Sequence, residues 1–453
     1  MILPLSQIPR LDMHEWRGAC RQGRLASLTF WQGELLAVLC RPEGLVVRAT
    51  RVEQEYPALT SDLPSAQALE RALFEEHGLR AVGHPWLKPL RRLREGDQFY
   101  RVRGPQVHEV AVGPVHAGVI EPGHFRFQCN GEHVLHLEIA LGYQHRGVER
   151  AMVGGPARRS IHYAETAAGD SSIAHATCYS ELCEELAGVQ ATSRARAVRM
   201  VALELERLAN HVGDLGALAG DVAFLPTASW CGRLRGAYLN LTAELCGNRF
   251  GRGLVRPGGV RSDFELPPLD ELRRDTAGAV ELMLDNSWVR ARFEDTGRLS
   301  PETARELGLV GPAARACGLA LDVRHELPQE DLPRPALCTA EGGDVMARAL
   351  VRWREVQASL DFLQQLSLPE GELWREVGAL APSHLAVSLV EGWRGAVCHL
   401  AVTDDEGRFG RYQIVDPSLF NWPGLALAMR GQEISDFPLC NKSFNLSYCG
   451  HDL

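Results

Sequence analysis

The chain lacks any long apolar run. The stretch from Trp422 to Met429 has only eight residues and contains Pro423 and Gly424, whereas a bilayer span needs about 20, so the sequence predicts no membrane-crossing segment of its own. It lacks an excess of basic residues: 48 Lys and Arg against 57 Asp and Glu give a formal charge of -9, which disfavours a polyanionic nucleic acid as partner. Cysteine is sparse, 12 in 453 residues, too dilute for a disulfide scaffold, and a reduced, intracellular compartment is expected. The start, MILPLSQIPRLDMHEW, has neither a basic leader nor a long apolar segment, so export is not indicated. No Gly-x-Gly-x-x-Gly follows a strand, no phosphate loop ends in Gly-Lys-Ser/Thr, and no Gly-x-Ser-x-Gly elbow occurs. Dinucleotide, nucleotide and serine-hydrolase chemistry therefore have no support.

What is present is a globular composition, 45% hydrophobic and 23% charged, long enough for about three domains. The runs SLTFW, LLAVLC and GLVVRAT between Ser27 and Thr50 are separated by Gly33, Pro42 and Gly44, the pattern of a small antiparallel sheet. A helix is expected after it, with Ser65 as N-cap, Leu69 and Leu73 on one face and Gly78 as stop. Residues 1–92 read as a small α/β (α+β) domain and 93–108, overlapping the basic stretch KPLRRLREGDQFYRVRG from Lys88 to Gly104, as a linker. That basic stretch reads equally as a docking strap for an acidic partner.

Residues 109–453 read as predominantly helical with small β-sheets. HVLHLEIALG predicts a strand. Val198, Val201, Leu205, Leu208, Val212 and Leu215 recur every three or four residues between Ala195 and Ala219, which predicts a helix of about seven turns. A second long helix is expected from Asp344 to Leu366, on the stripe of Met346, Leu350, Trp353, Val356, Leu360 and Leu363. Two such helices suggest a bundle-like core. LAVSLVEG and GAVCHLAVTDDEGRFGRYQIVDP predict strands beside it, the latter pair turning at Asp404 to Gly407.

Polar side chains concentrate in five places. GPVHAGVIEPGHFRF carries His116, Glu121, His124 and Arg126 on a Gly- and Pro-rich loop, where an imidazole beside a carboxylate suits proton relay. In GYQHRGVERAM, His145 and Glu149 share a helical face. In HYAETAAGDSSIAHATCYSELCEEL, Asp170 is placed to cap a helix carrying His175, Cys178 and Tyr179. Glu204, Arg207 and His211 form a polar stripe along the first long helix, read either as the lining of an inner channel, as a contact between subunits or as a solvated face. The tail brings Cys440, Cys449 and His451, in a segment expected to dock. A metal-binding alternative uses His175, Cys178, Cys440, Cys449 and His451, but no Cys-x-x-Cys occurs in the chain.

The motifs GPVHAGVIEPGHFRF, GYQHRGVERAM, LELERLANH, RPGGV, GDVMARALVRWREV, VEGWRG and YQIVDPSLFNWPGLALAMRG stand in order from Gly113 to Gly431. Through them the chain resembles the large subunit of membrane-bound, energy-converting nickel-iron hydrogenases of the formate hydrogenlyase type. It equally resembles the homologous quinone-site subunit of respiratory complex I, the NADH-quinone oxidoreductase. The stretch from Tyr56 to Leu93 resembles the small peripheral subunit of complex I that sits beside that large one, which implies a fusion of two subunits. The resemblance implies a hydrogenase-like large-subunit fold, an iron-sulfur partner of complex I or hydrogenase small-subunit type, membrane-anchor and ion-translocating partners, and a peripheral place on the cytoplasmic side of the membrane.

It also shows a departure. Of the hydrogenase pattern's two Cys-x-x-Cys pairs, aligned through Glu165 and His175, the first falls on Ala168 and Ser171. Through SFNLSYCGHDL the second falls on Ser447 and Gly450. Soft nickel is held by thiolates, so no metal is expected, and no cofactor bound by the chain beyond a quinone headgroup at His116 and His124. The tyrosine that complex I subunits use for the quinone aligns with Gly169. The implied function is that of a non-metal subunit which couples electron transfer from an iron-sulfur partner to quinone or to ion translocation. Glu121, Glu165, Asp170, His175, Glu206, Arg207, His211, Glu391 and Arg394 are the candidate functional residues. A structural adaptor with a decayed site and a metalloenzyme with a non-standard His/Cys ligand set are the alternatives.

Overall fold

In the computed structural model, residues 1–92, 98–115, 121–328 and 332–453 are described. Strand β1 (Ile2–Pro4) is followed by helix α1 (Met13–Cys20), whose first turn is closed by the Asp12 carboxylate accepting the Glu15 N–H. Strands β2 (Arg24–Trp31), β3 (Glu34–Arg41) and β4 (Gly44–Arg51) form the expected antiparallel meander. The first hairpin turns at Gln32 and Gly33, both with positive φ (46° and 83°), the twist that matches the strands it joins. Helix α2 (Gln67–His77) covers this sheet and ends on Gly78 at φ 70°. Ser65 is not its cap: it lies inside a short 3-10 turn, Pro64–Ala66, that leads into the helix.

A second antiparallel sheet, β5 (Val107–Val112), β6 (His124–Asn130) and β7 (His133–Ala140), precedes the helical region. Helices α3 (Ser160–Glu165), α4 (Ser172–Ala187) and α5 (Ser193–Asp221) follow. The 29-residue α5 is the predicted long helix, about 44 Å long at 1.5 Å per residue. The Thr192 hydroxyl caps it through the Ala195 N–H. Its apolar stripe packs against α6 (Leu225–Cys246), α7 (Asp270–Leu284) and α8 (Val345–Gln365), with Leu205, Leu208, Leu234, Tyr238, Val280 and Val356 in one core. The periodicity argument passes over α6. Its buried side mixes Leu234, Tyr238, Leu239 and Leu245 with the small or polar Thr227, Cys231 and Thr242, and α5 comes so close that a side chain on Gly216 would meet Cys231 at 2.7 Å.

Strands β8 (His384–Gly392), β9 (Gly395–Thr403) and β10 (Phe409–Val415) make the expected small sheet, with β1 as its fourth, edge strand opposite β8. Gly392 pairs with Gly395, so the VEGWRG motif is a two-residue hairpin with Trp393 and Arg394 at its tip. Helix α9 (Pro417–Ala428) starts at once after β10, with the Asp416 side chain accepting the Ser418 N–H. Leu385, Val387, Leu400 and Val415 of this sheet share a core with Leu28, Val38, Leu69 and Leu73 of the first region. No helix among the described residues is long and apolar enough to cross a membrane.

Candidate functional site

The hairpin tip meets the turn between α3 and α4. Arg394 grips Asp170 with two nitrogens (2.5 and 2.7 Å), bonds the Ser171 hydroxyl at 3.3 Å, and reaches the Asn445 carbonyl at 2.6 Å. Such a forked pair fixes direction as well as charge. Trp393 lies under the guanidinium at 3.9 Å and donates its indole N–H to the Asp170 carbonyl at 2.9 Å. Asp170 therefore does not cap α4, as the sequence suggested. Ser171 takes the cap position without a side-chain bond, because the Asp170 carboxylate is drawn to Arg394.

The four matched ligand positions belong to two segments that touch. Arg146 joins them, bonding the carbonyls of Thr166, Ala167 and Cys449. Ser447 accepts the Gly450 N–H at 2.9 Å and lies 3.3 Å from the Cys449 sulfur. A side chain begun at Gly450 would stand 2.6 Å from the Asp416 carboxyl carbon and 2.7 and 2.9 Å from its oxygens, closer than packed atoms allow. The place of the fourth thiolate is taken by a carboxylate. Ala168 has no donor, and the Ser171 hydroxyl is engaged by Arg394. These residues do not fit a thiolate-held nickel-iron group.

The alternative His/Cys set fails on placement. Cys178 turns toward the carbonyls of Ser388 and Val397 (3.1 and 3.5 Å). Cys440 lies beside Gly297, with burial pushing its thiol up to about 11. Burial, with Glu121 nearby, likewise pushes the Cys449 thiol up to about 11, and His451 is taken by Asp452 at 2.8 Å. Among the described residues no group of three or more His, Cys, Asp or Glu is placed to hold a metal ion.

Behind Gly450 runs a fully buried chain. The Asp416 carboxylate meets His175 Nε2 at 3.2 Å, His175 Nδ1 meets His399 Nε2 at 3.0 Å, and His399 Nδ1 meets the Tyr412 hydroxyl at 2.7 Å. An ionised carboxylate only accepts. With one N–H per ring, the polarity is then set throughout: Tyr412 donates to His399, His399 to His175, and His175 to Asp416. Burial alone would raise the Asp416 carboxyl, but the His175 ring and Arg394 hold it below the usual range. Burial, with His175 beside it, drives His399 well below the ordinary imidazole value, and burial raises the Tyr412 phenol well above its own.

The other predicted residues are dispersed around this core. Glu121 accepts the N–H groups of Tyr448 and Cys449 (3.2 and 3.3 Å), tying the tail to the segment before β6. Glu165 takes the Gly253 N–H and faces His162 at 3.1 Å. Glu206 accepts the N–H groups of Ile173 and Ala174 at the start of α4 (2.8 and 3.4 Å). Burial, with Asp170 adding to it and those N–H groups opposing, pushes its carboxyl up to about 8. His124 is not on a loop: it opens β6, its ring against Phe99, and burial and Arg126 lower its pKa. His116 lies outside the described residues. His145 precedes the short helix Val148–Met152 and bonds the Asp452 carbonyl at 3.0 Å, while Glu149 accepts the Ile414 N–H, so the two do not act as a helical pair.

The stripe on α5 is not a solvated face: Glu204 lines a cavity together with Arg324 and Glu391, and Arg207 and His211 are enclosed behind it. Arg207 bonds Glu204 and Glu355, and His211 bonds Glu355 at 2.8 Å. Arg315 joins Glu355 to Glu391 (both 2.8 Å), and Arg324 pairs with Glu204 and Asp322. Arg207, His211, Arg315, Glu355 and Glu391 are at most 4% exposed. Despite burial, Arg315, His211 and Arg207 hold the Glu355 carboxyl well below the usual range, whereas burial and Asp322 raise Glu391. His211 also sets its ring edge-on to Trp393 at 6.0 Å, so one indole joins this interior network to the Asp170–Arg394 pair. Trp393, Asp416, His399, Tyr412, Arg315 and Glu355 were not singled out from sequence. The one available signal was a histidine amid the apolar strand GAVCHLAV.

Residues 221–379 match the family model described as respiratory-chain NADH dehydrogenase, 49 Kd subunit. The chain is 30% identical to formate hydrogenlyase subunit 5 of Escherichia coli (strain K12) over 433 residues, covering 87% of this chain and 76% of that protein. It is 28% identical to hydrogenase-4 component G of the same organism, covering 87% of this chain and 75% of that one. An NADH-quinone oxidoreductase subunit of Solibacter usitatus (strain Ellin6076) is 28% identical, the match covering 72% of this chain and 91% of that protein.

Proposed function

Because the chain belongs to the family of hydrogenase, formate hydrogenlyase and NADH-quinone oxidoreductase large subunits, we propose that it serves as a non-metal, peripheral subunit of a membrane-attached redox complex. It couples electrons arriving from a neighbouring iron-sulfur subunit to quinone reduction or to ion movement in membrane subunits, on the cytoplasmic side. Residues 1–92 and 109–453 act as two subunits fused in one chain. One observation carries the reading. The positions that the resemblance matches to metal thiolates hold none, with the Asp416 carboxylate against Gly450, while the Arg394–Asp170 pair stands beside them and is joined through Trp393 to the interior charges. Buried charges at low dielectric respond strongly to charge arriving nearby, which is what coupling requires and a scaffold does not. For the quinone branch, His124 leaves Nδ1 buried and unpartnered among the described residues, a group suited to a carbonyl headgroup.

The test is replacement in the assembled complex. Glu121→Gln, Glu165→Gln and Arg394→Gln spare assembly and impair turnover if the chain has a coupling role. Unchanged turnover establishes the adaptor alternative instead. Titration with a quinone analogue that leaves His124 unshifted in NMR removes the quinone branch alone.

A further inference from the structure

Two adjoining loops beside the Asp170–Arg394 pair carry a charge opposite to that of the molecule. The segment 146–163 presents Arg150, Arg158 and Arg159 at the surface, and 247–261 presents Arg249, Arg252 and Arg256. The first segment has one carboxylate, Glu149, which is buried, and the second has none. Among the described residues none of these six guanidinium groups has a carboxylate partner. Some surface arginines elsewhere are paired, as Arg10 with Glu34, Arg233 with Asp275 and Arg290 with Glu294, and others such as Arg274 and Arg305 are not, so what sets these loops apart is six exposed arginines on two short segments with no exposed carboxylate among them. The two segments pack on each other, Ile161 of the first lying against the core that holds Leu254 and Val255 of the second, and Arg252 stands 3.7 Å from where a side chain of Gly169, next to Asp170, would begin. Apolar groups are exposed within or beside them, Tyr143 at 48%, Val153 at 47% and Phe250 at 40%.

On a chain of net charge -9, an unpaired cationic face is held against the prevailing potential, and arginine with aromatic neighbours is the composition of protein interfaces. We propose that this face docks a protein subunit whose complementary patch is rich in Asp and Glu. The apolar groups give the dry centre and the arginines the steering rim. The occupant sits over the Asp170–Arg394 pair, so its charge state is felt there. The proposal rests on the reading that the chain works inside a complex, and it names the chemistry of the partner surface.

A photo-crosslinking residue, p-benzoylphenylalanine, is placed at Phe250 in the full chain within the native complex, with one at exposed Trp288 as control. The cross-link from position 250 is expected on a partner peptide with an excess of Asp and Glu. The variant Arg150→Glu/Arg158→Glu/Arg252→Glu is expected to retain partner about tenfold less at low ionic strength, with unchanged circular dichroism and Tm. Lysines at the cross-linked acidic positions of the partner restore retention. A cross-link to a peptide without acidic excess, to nucleic acid or to lipid overturns the proposal, as does full retention by the variant. A redox subunit held through another face removes this inference and leaves the proposed function standing. An acidic partner at position 250 in a complex without redox centres does the reverse.

Discussion

The charges around Asp170 and those around Glu355 are made of the same side chains and joined through one indole, yet they are built in opposite ways. The first group is assembled from a turn, a hairpin tip and the tail, and the Asp170 side chain keeps 34% of its surface in water. The second lies between helices and a strand, with Arg315 and Glu355 at 0 and 3% exposure and each charge bonded more than once. At the loop-built group Ala168 and Gly450, the positions that the resemblance matches to metal-binding cysteines, offer no side-chain donor. In the interior group, removing one member strands another in low dielectric.

The predictions sharpen that contrast, beginning where the effect is largest. Glu355→Gln leaves Arg315, Arg207 and His211 short of their common acceptor and should lower unfolding free energy by about 3–5 kcal/mol, read by chemical denaturation. A loss under about 1 kcal/mol would mean the interior network behaves like a surface pair. Gly450→Ala drives a methyl group into the Asp416 carboxylate and should destabilise by about 1–3 kcal/mol. The same change in an Asp416→Ala background should cost much less, and equal costs in both backgrounds would remove the collision from the account.

A pH series separates the two groups further. The Glu206 carboxyl ionises near 4.5 when exposed in the unfolded chain and near 8 in the folded one. The folded state therefore holds the extra proton between those values. Its contribution is full below about pH 4.5 and is lost as pH rises through about 8. Glu206→Gln should flatten that decline in Tm against pH; an unaltered slope would reject the raised carboxyl. The smallest effect is expected at the half-buried Asp170–Arg394 pair, where Asp170→Asn keeps an oxygen for Arg394 and a third of the Asp170 side chain already lies in water, so chemical denaturation should show a loss of about 1–2 kcal/mol.

The same contrast explains what could be read from sequence. Helix α5, helix α8 and the strands flanking Trp393 and Arg394 were legible because their apolar residues recur at regular intervals, and VEGWRG marked the hairpin tip. Arg394 and Asp170 were legible as candidates because they stand in compact motifs near the lost ligands. Helix α6 was passed over because its buried Leu234, Tyr238, Leu239 and Leu245 are interleaved with Thr227, Cys231 and Thr242, which blur the apolar stripe. The Asp416–His175–His399–Tyr412 chain was hidden because its members come from α4, β9, β10 and the start of α9, up to 241 residues apart. Arg315 and Glu355 were hidden for a related reason: a charge at an interior position looks in sequence like a charge on a solvated face. Asp416 in particular reads as an ordinary helix cap, which it is, and only the packing reveals that the same carboxylate fills the place of a missing thiolate.

The central claim, that this body of a metal-binding family no longer holds the metals, is tested most directly by elemental analysis of the chain purified in its native complex. The account predicts no stoichiometric nickel in this subunit, whatever iron its neighbours carry. One nickel per chain, bound through cysteine sulfur by X-ray absorption, would contradict it.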